Sequence, residues 1–258
     1  MLEWFFYALL GALAGLSSGI LGLGGGVIIV PALLLSFSWQ GLSEHYTMHM
    51  AVATSLMTII VTSLTSSYAH HRRGNVNWHL VKKLAPGLII GSSLGAIMAT
   101  MLASKLLQQL FALYIIFVGV KIWLPNAIHQ HSAFLKNSAL ISFGGVAGMI
   151  SALVGIGGGT IIIPYLLMAK QSIRQAIATS VVCSLPISIA AVAGFFIMEK
   201  VHVEGMTTYI YWPAFLGIIS TSSFFAILGV KIANNLPLLV LRQLFSVVLI
   251  VGAVYLLL

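Results

Sequence analysis

Apolar runs of about 20 residues recur from one end of this chain to the other, separated only by short polar connections. Hydrophobic residues make up 60% of the 258 positions and charged residues only 6%, which is far from the usual balance of a water-soluble domain. About 20 apolar residues cross the hydrocarbon core of a bilayer as one helix. The sequence therefore predicts an all-α polytopic membrane protein without a separate soluble domain.

Two of the eight predicted hydrophobic segments, the first and the fifth, are interrupted by glycines. The approximate segment ranges are 3–37, 47–69, 84–103, 106–124, 136–169, 174–198, 209–229 and 238–257. At about 35 residues each, the interrupted segments are too long for one membrane crossing and too short for two. A helical hairpin that enters the membrane and turns back at the glycines fits this length, and the number of segments rises if each hairpin is counted as two.

The second half of the sequence repeats the first. The stretch GLSSGILGLGGGVIIVP at 15–31 aligns with GMISALVGIGGGTIIIP at 148–164 at an offset of 133, with nine of 17 positions identical. Two further pairs of motifs continue the repeat, namely ATS at 53–55 and 178–180, and LQQLF at 107–111 with LRQLF at 241–245. We therefore expect two transmembrane repeats, 1–130 and 131–258, each a glycine-broken hairpin followed by three transmembrane helices.

The placement of Lys and Arg indicates that the two repeats are inverted. If each interrupted segment crossed the membrane once, the 12 cationic residues would divide seven to five between the two sides. If each segment turns back, ten lie on one side and only Lys105 and Lys200 on the other. Because cytoplasmic loops carry the excess of Lys and Arg, we predict hairpins, inverted repeats and both termini outside. The basic group from His70 to Arg73 is interpreted as a cytoplasmic loop that contacts lipid headgroups.

The two glycine breaks are the predicted binding site. Non-helical backbone inside a membrane is buried in protein or lines a wet cavity, and paired breaks in inverted halves indicate a transporter site. Each second hairpin arm starts directly after the glycines, so the free N–H groups of its N-terminus attract anions. The candidate substrate-binding residues are Gly24, Gly25, Gly26, Thr54, Ser55, Gly157, Gly158, Gly159, Thr179 and Ser180. Hydroxyls of the two ATS motifs can donate to an oxyanion, or can serve helix packing alone.

No Asp, Glu, Lys, Arg or His lies in the middle of any apolar run, which argues against an intramembrane enzyme and a carboxylate proton relay. A cation carrier would need buried acids, so an anionic or neutral substrate is favoured. The sequence indicates no catalytic residue, metal site or cofactor, and the single cysteine, Cys183, excludes an intrachain disulfide. The expected partners are a small anionic substrate and the lipid bilayer, with no nucleic acid; a homo-oligomer stays open.

Two copies of GxGGGxxxxP, each followed by an ATS motif, with LRQLF leading into the last apolar run, resemble the TauE/SafE-type sulfite exporter family. This family is also called the four-toluene sulfonate uptake permeases, and the resemblance covers essentially the whole chain. It implies a multi-pass permease of a bacterial-type inner membrane for small sulfur-containing anions such as sulfite, sulfoacetate or sulfonates. One departure is the connection from the first glycine motif to ATS, which is eight residues longer than in the second repeat. An anion channel-like pore and a non-transporting membrane accessory protein are the alternatives.

Overall fold

A computed structural model describes residues 2–42, 45–123, 137–198 and 208–233 of the chain. Within these ranges the chain forms nine α-helices and no β-strand, which confirms the predicted all-α class. The helices are α1 Leu2–Leu21, α2 Gly26–Trp39, α3 Thr47–His71, α4 Trp78–Met101, α5 Ser104–Trp123, α6 Asn137–Val154, α7 Gly159–Met168, α8 Ile173–Ile197 and α9 Trp212–Ile232. The predicted segment 238–257, the LRQLF motif and the repeat boundary at 130/131 lie outside the described residues.

Six of these helices, α1, α3, α4, α6, α8 and α9, are long and apolar enough to cross a membrane. Helices α2 and α7 are equally apolar but contain only 14 and 10 residues. Large apolar side chains such as Leu13, Ile90, Leu94 and Phe224 stand exposed on the outside of the bundle. An apolar exterior of this extent matches lipid rather than water, and the chain is a multi-pass membrane protein.

Helix α4 begins six residues before its predicted segment. The side chain of Asn77 caps the helix by accepting a hydrogen bond from the N–H of Leu80 at 3.2 Å. This cap allows Lys82, Lys83 and Pro86 to lie inside the first turns of the helix. Hydropathy alone misses this start, because a capped polar turn is stabilised by hydrogen bonding and not by burial.

Helices α3 and α8 contact each other at the centre of the bundle, while α1 packs along α9 and α4 packs along α6. Rows of glycine make the two outer pairings close. An added Cβ at Gly87, Gly91 or Gly95 of α4 would overlap backbone carbonyl groups of α6. Membrane helices use small residues in this way because close backbone approach supplies the packing that drives their association.

The short helices α2 and α7 run back alongside the helices that precede them. The Tyr7 hydroxyl, near the start of α1, lies 2.8 Å from the Ser36 hydroxyl, near the end of α2. In the second half, the rings of Phe143 in α6 and Tyr165 in α7 stack with centroids 3.6 Å apart. The connection between the two arms of each pair is the glycine stretch, and it is buried inside the bundle.

Candidate functional site

The glycine stretches adopt a backbone conformation that other L-residues rarely take. Gly22, Gly24 and Gly25 follow the end of α1 with φ of +71°, +73° and +84°, and Gly155 and Gly158 follow α6 with φ of +73° and +80°. Only glycine occupies this left-handed region without a steric penalty from Cβ. The interruption of the helices is therefore encoded by the residues at which it occurs.

The two glycine turns meet each other inside the bundle. An added Cβ on Gly24 would lie 3.2 Å from the Cα of Gly157, so the two backbones are in direct contact. A Cβ on Gly26 would overlap the Gly155 carbonyl oxygen, and one on Gly159 would overlap a carbonyl of the first turn. The structure thus brings together the six glycines that the sequence places in the candidate site.

Helices α2 and α7 begin at this meeting point without a side-chain cap. Their N-cap residues are Gly25 and Gly158, and the first backbone hydrogen bonds run from Ile28 N–H to Gly25 at 3.0 Å and from Ile161 N–H to Gly158 at 3.1 Å. The N–H groups of the first two residues in each helix precede these bonds and have no intrahelical acceptor. Together with the positive end of the helix dipole, such groups favour an anion.

The serines of the two ATS motifs hold the glycine turns in place across the molecule. Ser55 Oγ donates to the carbonyl of Gly155 at 2.8 Å, and Ser180 Oγ donates to the carbonyl of Gly22 at 2.9 Å. Each serine thereby binds the turn that belongs to the other half of the chain. A hydroxyl has one hydrogen to donate, so in this conformation the two serines brace the turns.

The threonines of the ATS motifs bind elsewhere. Thr54 Oγ1 accepts a hydrogen bond from the N–H of Tyr211 at 2.8 Å, just before α9, and Thr179 Oγ1 accepts from the N–H of Asn77 at 3.1 Å, just before α4. Because each oxygen acts as an acceptor, the threonine keeps its own hydrogen for another partner. The structure therefore separates Thr54 and Thr179 from the glycine turns, which the adjacent serines contact.

Two glutamines that the sequence did not single out complete these contacts. Tyr211 donates through its hydroxyl to Gln40 Oε1 at 2.7 Å, and Asn77 donates through Nδ2 to Gln171 Oε1 at 3.1 Å. Burial, then neighbouring Tyr7 and Glu3, raise the pKa of the Tyr211 phenol, so this hydroxyl stays protonated and able to donate. No sequence pattern marked either glutamine, because both lie just beyond the ends of the short helices.

All ten predicted site residues are buried, and the site they form carries no charged side chain. Glu3, at the start of α1, is the one acidic residue in the described part of the chain. No group of histidine, cysteine or acidic side chains in the described ranges could hold a metal ion. The arrangement offers backbone N–H groups, carbonyls and hydroxyls, so it can bind a small polar or anionic molecule by hydrogen bonding.

The interpretation of His70 as part of a headgroup-contacting loop is wrong. Helix α3 continues to His71, and His70 is a buried side chain with 5% of its surface exposed, whereas His71 is exposed and accepts a hydrogen bond from Trp78. The helical period separates the two neighbours by about 100°, so one faces the bundle and the other faces away. Ser66, four residues earlier and also buried, lies on the same helix face as His70.

The fold and the site define a class of protein: a polytopic helical membrane protein whose buried backbone turns meet between helices that are otherwise continuous. The family model for the sulfite exporter TauE/SafE matches residues 7–256. The chain belongs to the TauE/SafE family, as the resemblance of its motifs predicted. It is a membrane transporter, and the family is one of transporters and not of enzymes.

Curated relatives agree with this membership. A protein of Haemophilus influenzae described as a probable membrane transporter protein is 33% identical over 252 residues, covering 95% of each chain. A probable membrane transporter protein of Methanocaldococcus jannaschii is 27% identical over 97% of this chain and 94% of its own length. One of Bacillus subtilis is 26% identical over 90% of this chain and 91% of its own length. No solved structure matches the sequence.

Proposed function

We propose that this protein is a secondary permease for small sulfur-containing anions such as sulfite, sulfoacetate or other sulfonates. The observation that carries the proposal is that two helices without a side-chain cap, α2 and α7, begin at glycine turns that contact each other in a buried region without charged side chains. The free backbone N–H groups at the two helix starts can bind an oxyanion without a counter-ion of fixed charge. The family description, which names a sulfite exporter, favours sulfur oxyanions among possible anions.

The proposed architecture is a pair of inverted repeats, 1–130 and 131–258, each with a glycine-broken hairpin. It is supported by reciprocal contacts: Ser55 binds the second turn while Ser180 binds the first. A further support is that Gln40 precedes the start of α3, whereas Gln171 contacts Asn77, which follows the end of α3. The two short helices therefore end near opposite ends of α3, as inversion requires.

We place the chain in the inner membrane of a bacterial-type cell, with both termini outside. The support is the ten-to-two division of Lys and Arg, because positive residues stay on the cytoplasmic side. A reporter that functions only outside the cytoplasm should be active when fused after Leu258. A reporter that functions only in the cytoplasm should be inactive at the same position. Activity confined to a cytoplasmic reporter would contradict the inverted arrangement.

The binding experiment measures thermal unfolding of the purified protein with sulfite, sulfoacetate, thiosulfate or sulfate, compared with chloride and taurine. A true ligand at a hundredfold excess over its dissociation constant stabilises the native state by about 2.7 kcal/mol. Gly25→Leu with Gly158→Leu should abolish the stabilisation. Gly41→Leu with Gly74→Leu is the matched control, because both glycines have φ of +67° but no atom lies within 4 Å of an added Cβ.

Two other functions give different results. An anion channel-like pore would show linear conductance, whereas a carrier shows saturable flux and counterflow in proteoliposomes. A non-transporting accessory protein would show neither flux nor stabilisation by any anion. Stabilisation by a sulfur oxyanion that survives the double substitution at Gly25 and Gly158 would contradict the assignment of the site.

A further inference from the structure

His70 is a buried imidazole whose hydrogen-bonding capacity is not met by the described part of the chain. Neither ring nitrogen makes a hydrogen bond there, although the ring lies beside the carbonyl of Gly19 outside hydrogen-bond geometry. Leaving a buried polar group unsatisfied is energetically costly, and such a group calls for a physical explanation. A ligand that visits the site is one such explanation.

Two buried hydroxyls on the same side of α3 add to this unmet capacity. Ser66 lies one helical turn before His70, and its Oγ is 3.4 Å from Ser18 Oγ of α1. Ser18 and Ser66 are both fully buried, and neither makes the bond to a carbonyl of its own helix that Thr62 makes. The contact between Ser18 and Ser66 uses one of the two hydroxyl hydrogens. The other O–H and one imidazole N–H therefore have no acceptor among the described residues. Both free hydrogens can point at an oxyanion, while the second ring nitrogen of the neutral imidazole stays a hydrogen-bond acceptor.

The charged side chains around this group are positive, whereas its place in the last turn of α3 adds partial negative charge from the helix dipole. Arg73 follows His70 by one turn and donates through Nη1 to the carbonyl of Val230 in α9. Within the described ranges the only carboxylate is that of Glu3, at the opposite end of α1. An anion that approached this end of α3 would therefore meet a guanidinium first and the donor group behind it.

The same face of α3 leads from His70 to the glycine turns. Thr62, two turns before His70, lies with its Oγ1 3.4 Å from the carbonyl of Gly24. Thr58, Thr62, Ser66 and His70 recur at every fourth residue and are all buried. Because residues four apart share one helix face, they form a continuous polar line between the end of α3 and the candidate site.

The second half of the chain lacks this polar line. Aligning the ATS motifs places Ala191 opposite Ser66 and Phe195 opposite His70, and Phe195 lines a small apolar cavity with Val192 and Tyr209. The residue equivalent to Ser18 in the second half is Ser151, which donates to the carbonyl of Ala147 in its own helix at 2.6 Å. If these residues served only to pack helices in both repeats, both repeats could carry the same kind of residue. The polar residues at the positions of Ser66 and His70 occur in the first repeat alone, so packing does not explain them.

We propose that Ser18, Ser66 and His70 form a second anion-contact site, which receives a small oxyanion at the Arg73 end of α3 before it reaches the glycine turns. This inference rests on the proposed function, since it assumes that the transported molecule is an oxyanion. It makes the two access routes unequal: the face of α3 is lined by polar side chains, and the corresponding face of α8 is apolar. Phenylalanine is the replacement to test at His70, because α8 carries Phe195 at the equivalent position.

The experiment measures the initial rate of sulfoacetate uptake into proteoliposomes across a range of concentrations. His70→Phe should lower the rate at low sulfoacetate concentration by about tenfold or more, the effect expected for one hydrogen bond to a charged group. His70→Gln, which keeps an N–H donor, should retain most of the rate. The matched control is His71→Phe, the same change at the exposed neighbour. Ser66→Ala is a second variant that removes a donor without adding volume.

The outcomes separate the two proposals. If the wild-type protein neither transports nor is stabilised by any sulfur oxyanion, the proposed function fails and this inference fails with it. If the wild type transports sulfoacetate and the His70→Phe and Ser66→Ala proteins match it, the second site alone is overturned. Equal loss in His70→Phe and His70→Gln would also overturn the donor role. Loss in His70→Phe and Ser66→Ala, with rescue in His70→Gln, supports it.

Discussion

Replacing Gly26 by alanine has two physical effects, which change the stability of the protein in opposite directions. Gly26 is the first residue of α2 and has an ordinary helical φ, so helix propensity alone predicts that alanine stabilises the protein by up to about 1 kcal/mol. The tertiary structure predicts the reverse. An added Cβ would overlap the carbonyl oxygen of Gly155 and would approach Ile59 Cδ1 to 2.9 Å and Ser55 Oγ to 3.0 Å.

The expected magnitude follows from these contacts. Inserting a methyl group into a packed interior costs about 1–3 kcal/mol, and displacing the Gly155 carbonyl also weakens its hydrogen bond from Ser55, worth about 1 kcal/mol. After subtracting the gain in helix propensity of up to about 1 kcal/mol, the net destabilisation is about 1–3 kcal/mol. At roughly 2–4 °C per kcal/mol for a chain of this length, the melting temperature should fall by roughly 2–12 °C.

Gly145→Ala is the matched control, because Gly145 also lies within a helix but its added Cβ would meet only the carbonyl of Gly87, at 3.9 Å. Thermal unfolding of the purified proteins in one detergent compares the two variants. We expect the melting temperature of Gly145→Ala to stay equal or rise, and that of Gly26→Ala to fall. A stabilised Gly26→Ala protein would refute the conclusion that the two glycine turns are in contact.

Two other predictions concern the contacts between the halves of the chain. Ser55→Ala and Ser180→Ala should each destabilise the protein by about 1–3 kcal/mol, because each leaves a buried carbonyl without its donor; chemical or thermal unfolding of both single variants tests this, and two neutral variants would contradict it. Gly91→Leu should separate α4 from α6, since its side chain would overlap the carbonyl of Gly145. Far less folded protein should be recovered on size exclusion, whereas Ile90→Leu, one position away and 61% exposed, should leave recovery unchanged.

Features that are local in the sequence could be predicted from it. The apolar runs predicted the all-helical membrane fold, since length and hydropathy decide whether a helix can cross a bilayer. The glycines marked where α1 and α6 end, because their left-handed φ values are a property of the residue itself. The spacing of Gly87, Gly91 and Gly95, four residues apart, is also a local feature and is typical of close helix packing.

The sequence does not determine which polar groups form hydrogen bonds with each other. Ser55 and Gly155 are 100 residues apart and Ser180 and Gly22 are 158 apart, so no local pattern reveals that these serines already donate to carbonyls. The burial of His70 was hidden for the same reason, because whether a side chain faces protein depends on helices that pack beside it. Hydropathy and backbone preference act within a few residues, whereas hydrogen-bond satisfaction is decided by neighbours that only the folded chain brings together.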